Sequence, residues 1–316
     1  MDQSLEPGDQ GLNGVAATAG FARGARAARR GRVASRLRLW QLALPATLFL
    51  SVYFFAPLLM LFWWSVRAPE GGGLTLGNFS ALLGDPFFFQ TLGLSLRLSF
   101  EVTAITLFLG FPLAYLYTKV GASLRLVILF VTLLPLLTSA VVRSFGWIVL
   151  LGKQGLVNHG LMALGLTDTP VRLLFSLDGV RVALAQVQLP FMLLPLINAL
   201  EQLDPSLEPA AVSLGASRFQ AVLRVTLPLA MPGMIAGAIL NFALTISAFI
   251  TPAMVGGGSF IVMPTLVYQS AIVTLQWPRA ATTALILLVV AMAVVWTGTV
   301  VTRRWQYGPR QGGANA

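Results

Sequence analysis

Arg97 and Glu101 stand four residues apart in an otherwise apolar run, a spacing that puts both side chains on one helix face. Asp178 and Arg181 stand three apart at the start of another such run, and Arg143 lies within a third. A charge at membrane depth costs about 2.5–3.5 kcal/mol on insertion scales, so these side chains are expected to face protein or water. Glu101, with Asp178, is a candidate for lining a path taken by a cationic solute, and Trp147 and Tyr268 are placed to add cation–π contacts. The plainer alternative is that Arg97 and Glu101 neutralise each other while Arg143 reaches the membrane interface. Other chemistry is closed off by composition. There is no cysteine, and the one histidine, His159, cannot form a His–His metal pair. No GxxxxGK[ST] phosphate loop and no H-E-x-x-H motif occur, so neither nucleotide hydrolysis of that type nor zinc proteolysis belongs to this chain. His159 is expected in a surface loop.

The elements that must position these residues are membrane helices. The chain has 316 residues, 56% hydrophobic and 10% charged, against about 25% charged in a typical soluble domain. Mean hydropathy is +0.80. Six stretches reach the roughly 20 apolar residues that cross about 30 Å of hydrocarbon. They run over residues 40–66, 92–118, 126–151, 180–200, 234–255 and 281–302. Gly110 and Pro112 are expected to kink the second. The formal charge of +10 is unevenly spread. Seven arginines, Arg23 to Arg38, precede the first span, while Lys119, Arg125, Arg218, Arg224, Arg303, Arg304 and Arg310 fall in the loops and tail on the same side. The alternate loops hold Arg67, Lys153, Arg172 and Arg279. Positive-inside logic then places both termini in the cytoplasm, as an even number of spans requires.

Residues 1–38, rich in Gly, Ala and Arg, are expected to form a disordered basic tail, and residues 306–316 a short cytoplasmic one. The membrane domain between them, 39–305, carries its longest cytoplasmic loop at 201–231. Asp204 is able to cap a first helical turn with Pro205 at its first position. Gly215 is suited to a positive φ that ends this helix, and Ser217 to capping the next. Pro228 and Pro232 are expected to break the chain before it re-enters the membrane. The product is a helical knob presenting small residues, Ala210, Ala211 and Ala216, to a partner; an ordinary interfacial loop is the bland alternative.

The same stretch resembles the cytoplasmic coupling motif of binding-protein-dependent ABC permeases: Glu-Ala-Ala, three residues, Gly, nine residues, an aliphatic, any residue, Leu-Pro. Ala210, Ala211, Gly215, Val225, Leu227 and Pro228 fall in register, whereas the motif's Glu is replaced by Pro209, with Glu208 one position earlier. Glu208 either substitutes for that carboxylate or faces elsewhere. Leu134 to Trp147, Gly155 to Asn158, Leu189 to Pro195 and Trp277-Pro278 are similar to the first permease subunit of the spermidine/putrescine-type branch. The resemblance implies an all-α polytopic protein of six transmembrane helices with the type I importer permease (MetI-like) fold, in a bacterial inner membrane. It also implies a second permease, two ATPase subunits that use the ATP, and a periplasmic or extracellular substrate-binding protein as partners, with no cofactor held by this chain. A secondary transporter or channel is the rival reading; it would favour paired discontinuous helices or an inverted repeat, and neither is evident.

Overall fold

The structure, a computed structural model, describes residues 44–68 and 73–306. The basic segment 1–38 and the residues beyond 306 lie outside that range, so the expected tails are not part of it. Among the described residues, six helical segments are long and apolar enough to cross a membrane, one of them, Ala140–Ala163, interrupted by a turn.

The chain divides into units of residues 1–60 and 61–316. Of the first, the described part belongs to α1 (Leu44–Ser65), an apolar helix with none of its most hydrophobic window buried. The second unit takes in the last residues of α1 and continues with the short α2 (Gly77–Leu83) and then α3 (Pro86–Lys119). Asp85 caps α3 by accepting from Phe87 N at 2.9 Å, and Pro86 occupies its first position. At 34 residues, α3 stays helical through Pro112.

The third apolar run departs from expectation. Residues 126–151 do not form one helix: α4 (Ala122–Leu133) ends in a 3₁₀ turn (Leu134–Leu137), and α5 (Ala140–Leu151) starts after an extended break at Thr138 and Ser139. Pro135 lacks an N–H to continue the helix, and its carbonyl is taken up instead by Thr138 Oγ1 at 2.9 Å and Arg143 Nη1 at 2.6 Å. After α5 the chain turns at Gly152–Gly155 into α6 (Leu156–Ala163). His159 therefore sits on a helix rather than in a loop, and is exposed as expected.

Next come α7 (Leu177–Glu201), the short α8 (Leu207–Ser213) and α9 (Arg218–Ala221), a π-helical turn (Val222–Thr226) and α10 (Leu227–Ile246). The prolines do not break this segment. Helix is continuous from Arg218 to Ile246, because the wider π turn, with Leu227 N bonded to Val222 O, accommodates Pro228 where an α-helical ladder would need its missing N–H. The fifth span is correspondingly shifted from 234–255. Pro252 would clash with the carbonyl of Ala248 in a continuous helix, so the chain breaks at residues 247–249 and restarts as α11 (Ile250–Val255) with Pro252 in its first turn. Then α12 (Met263–Tyr268), a second π turn (Gln269–Val273) and α13 (Trp277–Gln306) complete the chain.

The core lies where α7 packs against α3 and α10. Over half of the most apolar window of α7 is buried, against 6% for α13, so α13 leaves most of its surface for other contacts. Close approach of α10 to α7 depends on Gly233 and Gly237, one turn apart. A Cβ on Gly237 would lie 2.9 Å from Met192 Sδ, and one on Gly233 would lie 2.8 Å from the carbonyl of Pro195. The seam also holds a polar lock. The fully buried Asn241 donates to the Gln188 carbonyl at 3.0 Å, closing α10 on α7.

Candidate functional site

Two groups of charged and polar residues stand at opposite ends of α7. The first surrounds α8. Asp204 does not cap α8 from the position its sequence suggested. Pro205 and Ser206 form a turn ahead of the helix, and Asp204 Oδ1 fixes it by accepting from Ser206 N at 2.9 Å and Ser206 Oγ at 2.8 Å. These two bonds lower the Asp204 pKa below its ordinary value. Gly215 ends α8 as expected. Its φ is +91°, and Gly215 N bonds to Val212 O at 2.9 Å while Ala216 N bonds to Ala211 O at 3.1 Å, the paired bonds of a Schellman cap. Nothing lies within 4 Å of a Cβ at Gly215, so the constraint there is conformational rather than spatial. Ser217 opens α9 with a complete capping box, exchanging bonds with Gln220.

The knob's outer surface is apolar. Leu214 is 89% and Phe219 72% exposed, and Ala210 and Pro228 are exposed beside half-buried Ala211 and Ala216. Its inner surface is tied to the bundle by Glu208. One carboxylate oxygen accepts from Lys119 Nζ at 2.7 Å and from Tyr115 OH at 3.2 Å, both at the end of α3; the other accepts from Thr226 Oγ1 at 2.7 Å, in the π turn. Glu208 thus faces its own chain. Burial works to raise its pKa, but the bonds from Lys119, Thr226 and Tyr115 and the Lys119 charge outweigh that and hold it below the ordinary carboxylate value. A cleft of about 410 Å³ lies here, lined by Glu208, Lys119, Arg125, Glu201 and Asp204 among others. Arg125 donates to the carbonyls of Val120 and Thr118, at 3.0 and 3.1 Å, and so closes the turn between α3 and α4.

The second group lies on α3 and α7. Glu101 accepts from Arg97 Nε at 2.8 Å and from Arg181 Nε at 2.6 Å, and Arg181 also pairs with Asp178. Four charges form one alternating chain with no net charge. The Arg97–Glu101 pairing of the plainer alternative is present, and Arg181 extends it across to α7. The other residues named with the path stand apart from this chain. Arg143 makes no ion pair among the described residues and braces the α4–α5 break through the Pro135 carbonyl. Trp147 donates through Nε1 to Gln186 Oε1 at 3.1 Å. The Tyr268 ring lies 4.8 Å from that of Phe249.

Sequence reasoning did not single out Tyr115 or Thr226, and assigned Lys119 to topology alone. A hydroxyl in an apolar run gives no sign of a partner 93 residues away, as Tyr115 and Glu208 are. Lys119 did carry a usable signal: it is a cation at a helix end beside a loop holding three acids, Glu201, Asp204 and Glu208.

Comparison with known proteins adds to this geometry. Residues 106–307 match the family described as binding-protein-dependent transport system inner membrane component. The spermidine/putrescine transport system permease protein PotB of Escherichia coli (strain K12) is 34% identical over 216 residues, covering 68% of this chain and 78% of that protein. Among solved structures, a bacterial ABC transporter involved in the import of the acidic polysaccharide alginate aligns with a TM-score of 0.68 at 19% identity, covering 84% of this chain and 95% of that one. The alginate transporter in complex with alginate pentasaccharide-bound periplasmic protein aligns at 0.63 and 18%, covering 84% and 94%. Both structural matches concern the fold.

Proposed function

Because the chain belongs to the family of binding-protein-dependent transport system inner membrane components, and is thus a multi-pass permease subunit of an ABC importer, we propose that it carries polyamines of the spermidine/putrescine type inward with a second permease, two ATPase subunits and a soluble binding protein. ATP is bound and hydrolysed on the ATPase subunits, and this chain holds no cofactor. Both termini and the knob lie in the cytoplasm, in keeping with the arginine and lysine distribution.

The knob carries the mechanism. Its exposed apolar tip, Leu214 and Phe219, seats in a groove on an ATPase subunit, with Ala210, Ala211 and Ala216 permitting close approach. When ATP closes the two ATPase subunits, the knob moves with them. The rest of the chain follows because α9, the π turn and α10 are one continuous helix and because Glu208 joins α8 to α3. The device is a two-state coupling in which ATP favours the state whose knob position it can hold. The 34% identity to PotB over two thirds of the chain is the observation that supports polyamine cargo.

The cluster of Arg97, Glu101, Asp178 and Arg181 bears on the path. Glu101 is already neutralised by two arginines, whereas the Asp178 side chain is 73% exposed. Asp178 is therefore the better placed of the two carboxylates to meet a passing ammonium group.

The test is ATPase activity of the affinity-purified complex in nanodiscs, with and without ligand-loaded binding protein. Several-fold stimulation by spermidine- or putrescine-loaded protein is expected. An intact assembly with no copurifying ATPase overturns the importer reading; stimulation only by another ligand overturns the polyamine assignment alone.

A further inference from the structure

At the end of α7 away from the knob, a cleft of about 420 Å³ is lined by Leu151, Lys153, Val171, Arg172, Leu173 and Phe175, with Leu174 beside them. Its floor is apolar and its two charges are both positive. Lys153 and Arg172 are exposed, and neither takes part in an ion pair among the described residues. The other loop cations assigned to this side are engaged: Arg279 with Asp85 at 3.1 Å, and Arg67 over the Trp64 ring at 5.2 Å. Asp168, on the same connection as Arg172, pairs with neither cleft cation.

The frame beneath these charges is firmly set. The fully buried Asn158 donates to the carbonyls of Gly152 and Val171, at 3.0 and 3.1 Å, and accepts from Val171 N at 2.9 Å. One side chain thus clamps the strand of chain before Lys153 to the one before Arg172. Further along, Ser176 Oγ donates to Leu173 O at 2.6 Å, and Phe175, at a φ of +61°, donates from its N to Val255 O at 3.1 Å. A non-glycine residue holds such a φ only where its surroundings fix it. Two exposed side chains with unpaired charge therefore stand on a loop whose backbone is fixed by hydrogen bonds. Loops carrying lysine and arginine for solubility alone need no such frame.

α7 is 25 residues long and separates this cleft from the knob by about 37 Å. With the knob on the ATPase side, the cleft opens on the face that meets the soluble binding protein. We propose that it is a docking point for an acidic loop of the binding protein, whose carboxylates pair with Lys153 and Arg172 while their aliphatic stems cover the apolar floor. The inference rests on the importer reading above. Charges at the edge of such an interface govern encounter rate and salt dependence more than final affinity.

The experiment compares wild type with Lys153→Glu/Arg172→Glu in the complete complex, reconstituted in nanodiscs of phosphatidylcholine with or without phosphatidylglycerol. The probe is the loaded binding protein that stimulates the wild-type ATPase. Reversal of both charges is expected to raise its half-maximal concentration about tenfold at low salt and to remove most of the salt dependence. The Lys153→Arg/Arg172→Lys pair should behave as wild type, and copurification of the ATPase subunits verifies assembly. An unchanged half-maximal concentration and salt dependence in the reversed variant overturns the proposal. So does a reversed variant whose only change is a lost response to phosphatidylglycerol, since the cleft would then hold a lipid headgroup. A wild-type complex that hydrolyses ATP but responds to no binding protein overturns the importer reading instead.

Discussion

Glu101 and Glu208 are both half-buried carboxylates held by donors from other parts of the chain, and they are held for different ends. Glu101 takes two arginines, one from its own helix and one from α7, and so joins two members of the core. Glu208 takes a lysine, a phenol and a hydroxyl, and joins the core to an element outside it. Between α3 and α7 charge is matched by charge, with Arg181, the least exposed of the four, taking both carboxylates. At the knob a mixed set of neutral and charged donors suffices. The first carboxylate is a fastening between core helices and the second a tether on the knob, the part proposed to move.

Substitution separates the two. Glu101→Ala leaves Arg181, whose side chain is 19% exposed, without its main partner. The expected cost is about 2–3 kcal/mol, below the full value for a buried pair because Arg97 and Asp178 are exposed. It should appear as reduced abundance and a lower thermal midpoint of the assembled complex. The isosteric Glu101→Gln addresses the path: full uptake at normal abundance would remove that carboxylate from it.

Glu208→Gln should cost less, about 1–2 kcal/mol from weakened charged hydrogen bonds. Its effect should fall on coupling, with uptake per ATP hydrolysed reduced several-fold while assembly is kept. Loss of assembly in this variant, with coupling intact in what remains, would erase the distinction drawn between the two carboxylates. Its pH dependence gives a second handle. Since the folded pKa of Glu208 is lowered, its contribution to stability is complete above the ordinary carboxylate pKa and is lost as pH falls through the lowered value. The stability difference between wild type and Glu208→Gln should therefore be constant near neutrality and vanish only in acid, measured by denaturation over that range.

Gly215→Val tests the conformation of the knob alone. With open space around the Cβ position, the cost is that of a β-branched residue at positive φ, about 1–2 kcal/mol, and Gly215→Asn should recover most of it. Transport by Gly215→Val at the wild-type rate and abundance would show that the Schellman cap is dispensable. Trp147→Phe, which removes one bond to Gln186, should have the smallest effect, within about 1 kcal/mol on stability.

The parts of this molecule that were legible from sequence share a property: their signals are local. Six apolar stretches, the Ala210–Pro228 spacing, the Gly215 turn and the Ser217 cap are each written in one continuous stretch of sequence. The Arg97–Glu101 pair is of the same kind. What escaped depends on where a backbone defect is absorbed. Pro135 and Pro252 stand where helices end, whereas Pro112, Pro228 and Pro232 lie within them, and at Pro228 the difference is a π turn that spares the missing N–H. The tether of Glu208 escaped for another reason. Its partners are 18, 89 and 93 residues away, and only the packing of α3 beside the knob brings them together.

The unbroken helix from Arg218 to Ile246 has a mechanical consequence. Twenty-nine residues make a rod about 43 Å long. Tilting such a rod by roughly 10° about one end sweeps the other through about 7 Å. The π turn sits near the pivot, and Thr226 within it is the residue that Glu208 grips. If the knob moves as proposed, a small angular input there becomes a larger displacement at the far end of the helix, about a turn that Glu208 ties to Lys119 and Tyr115 of α3.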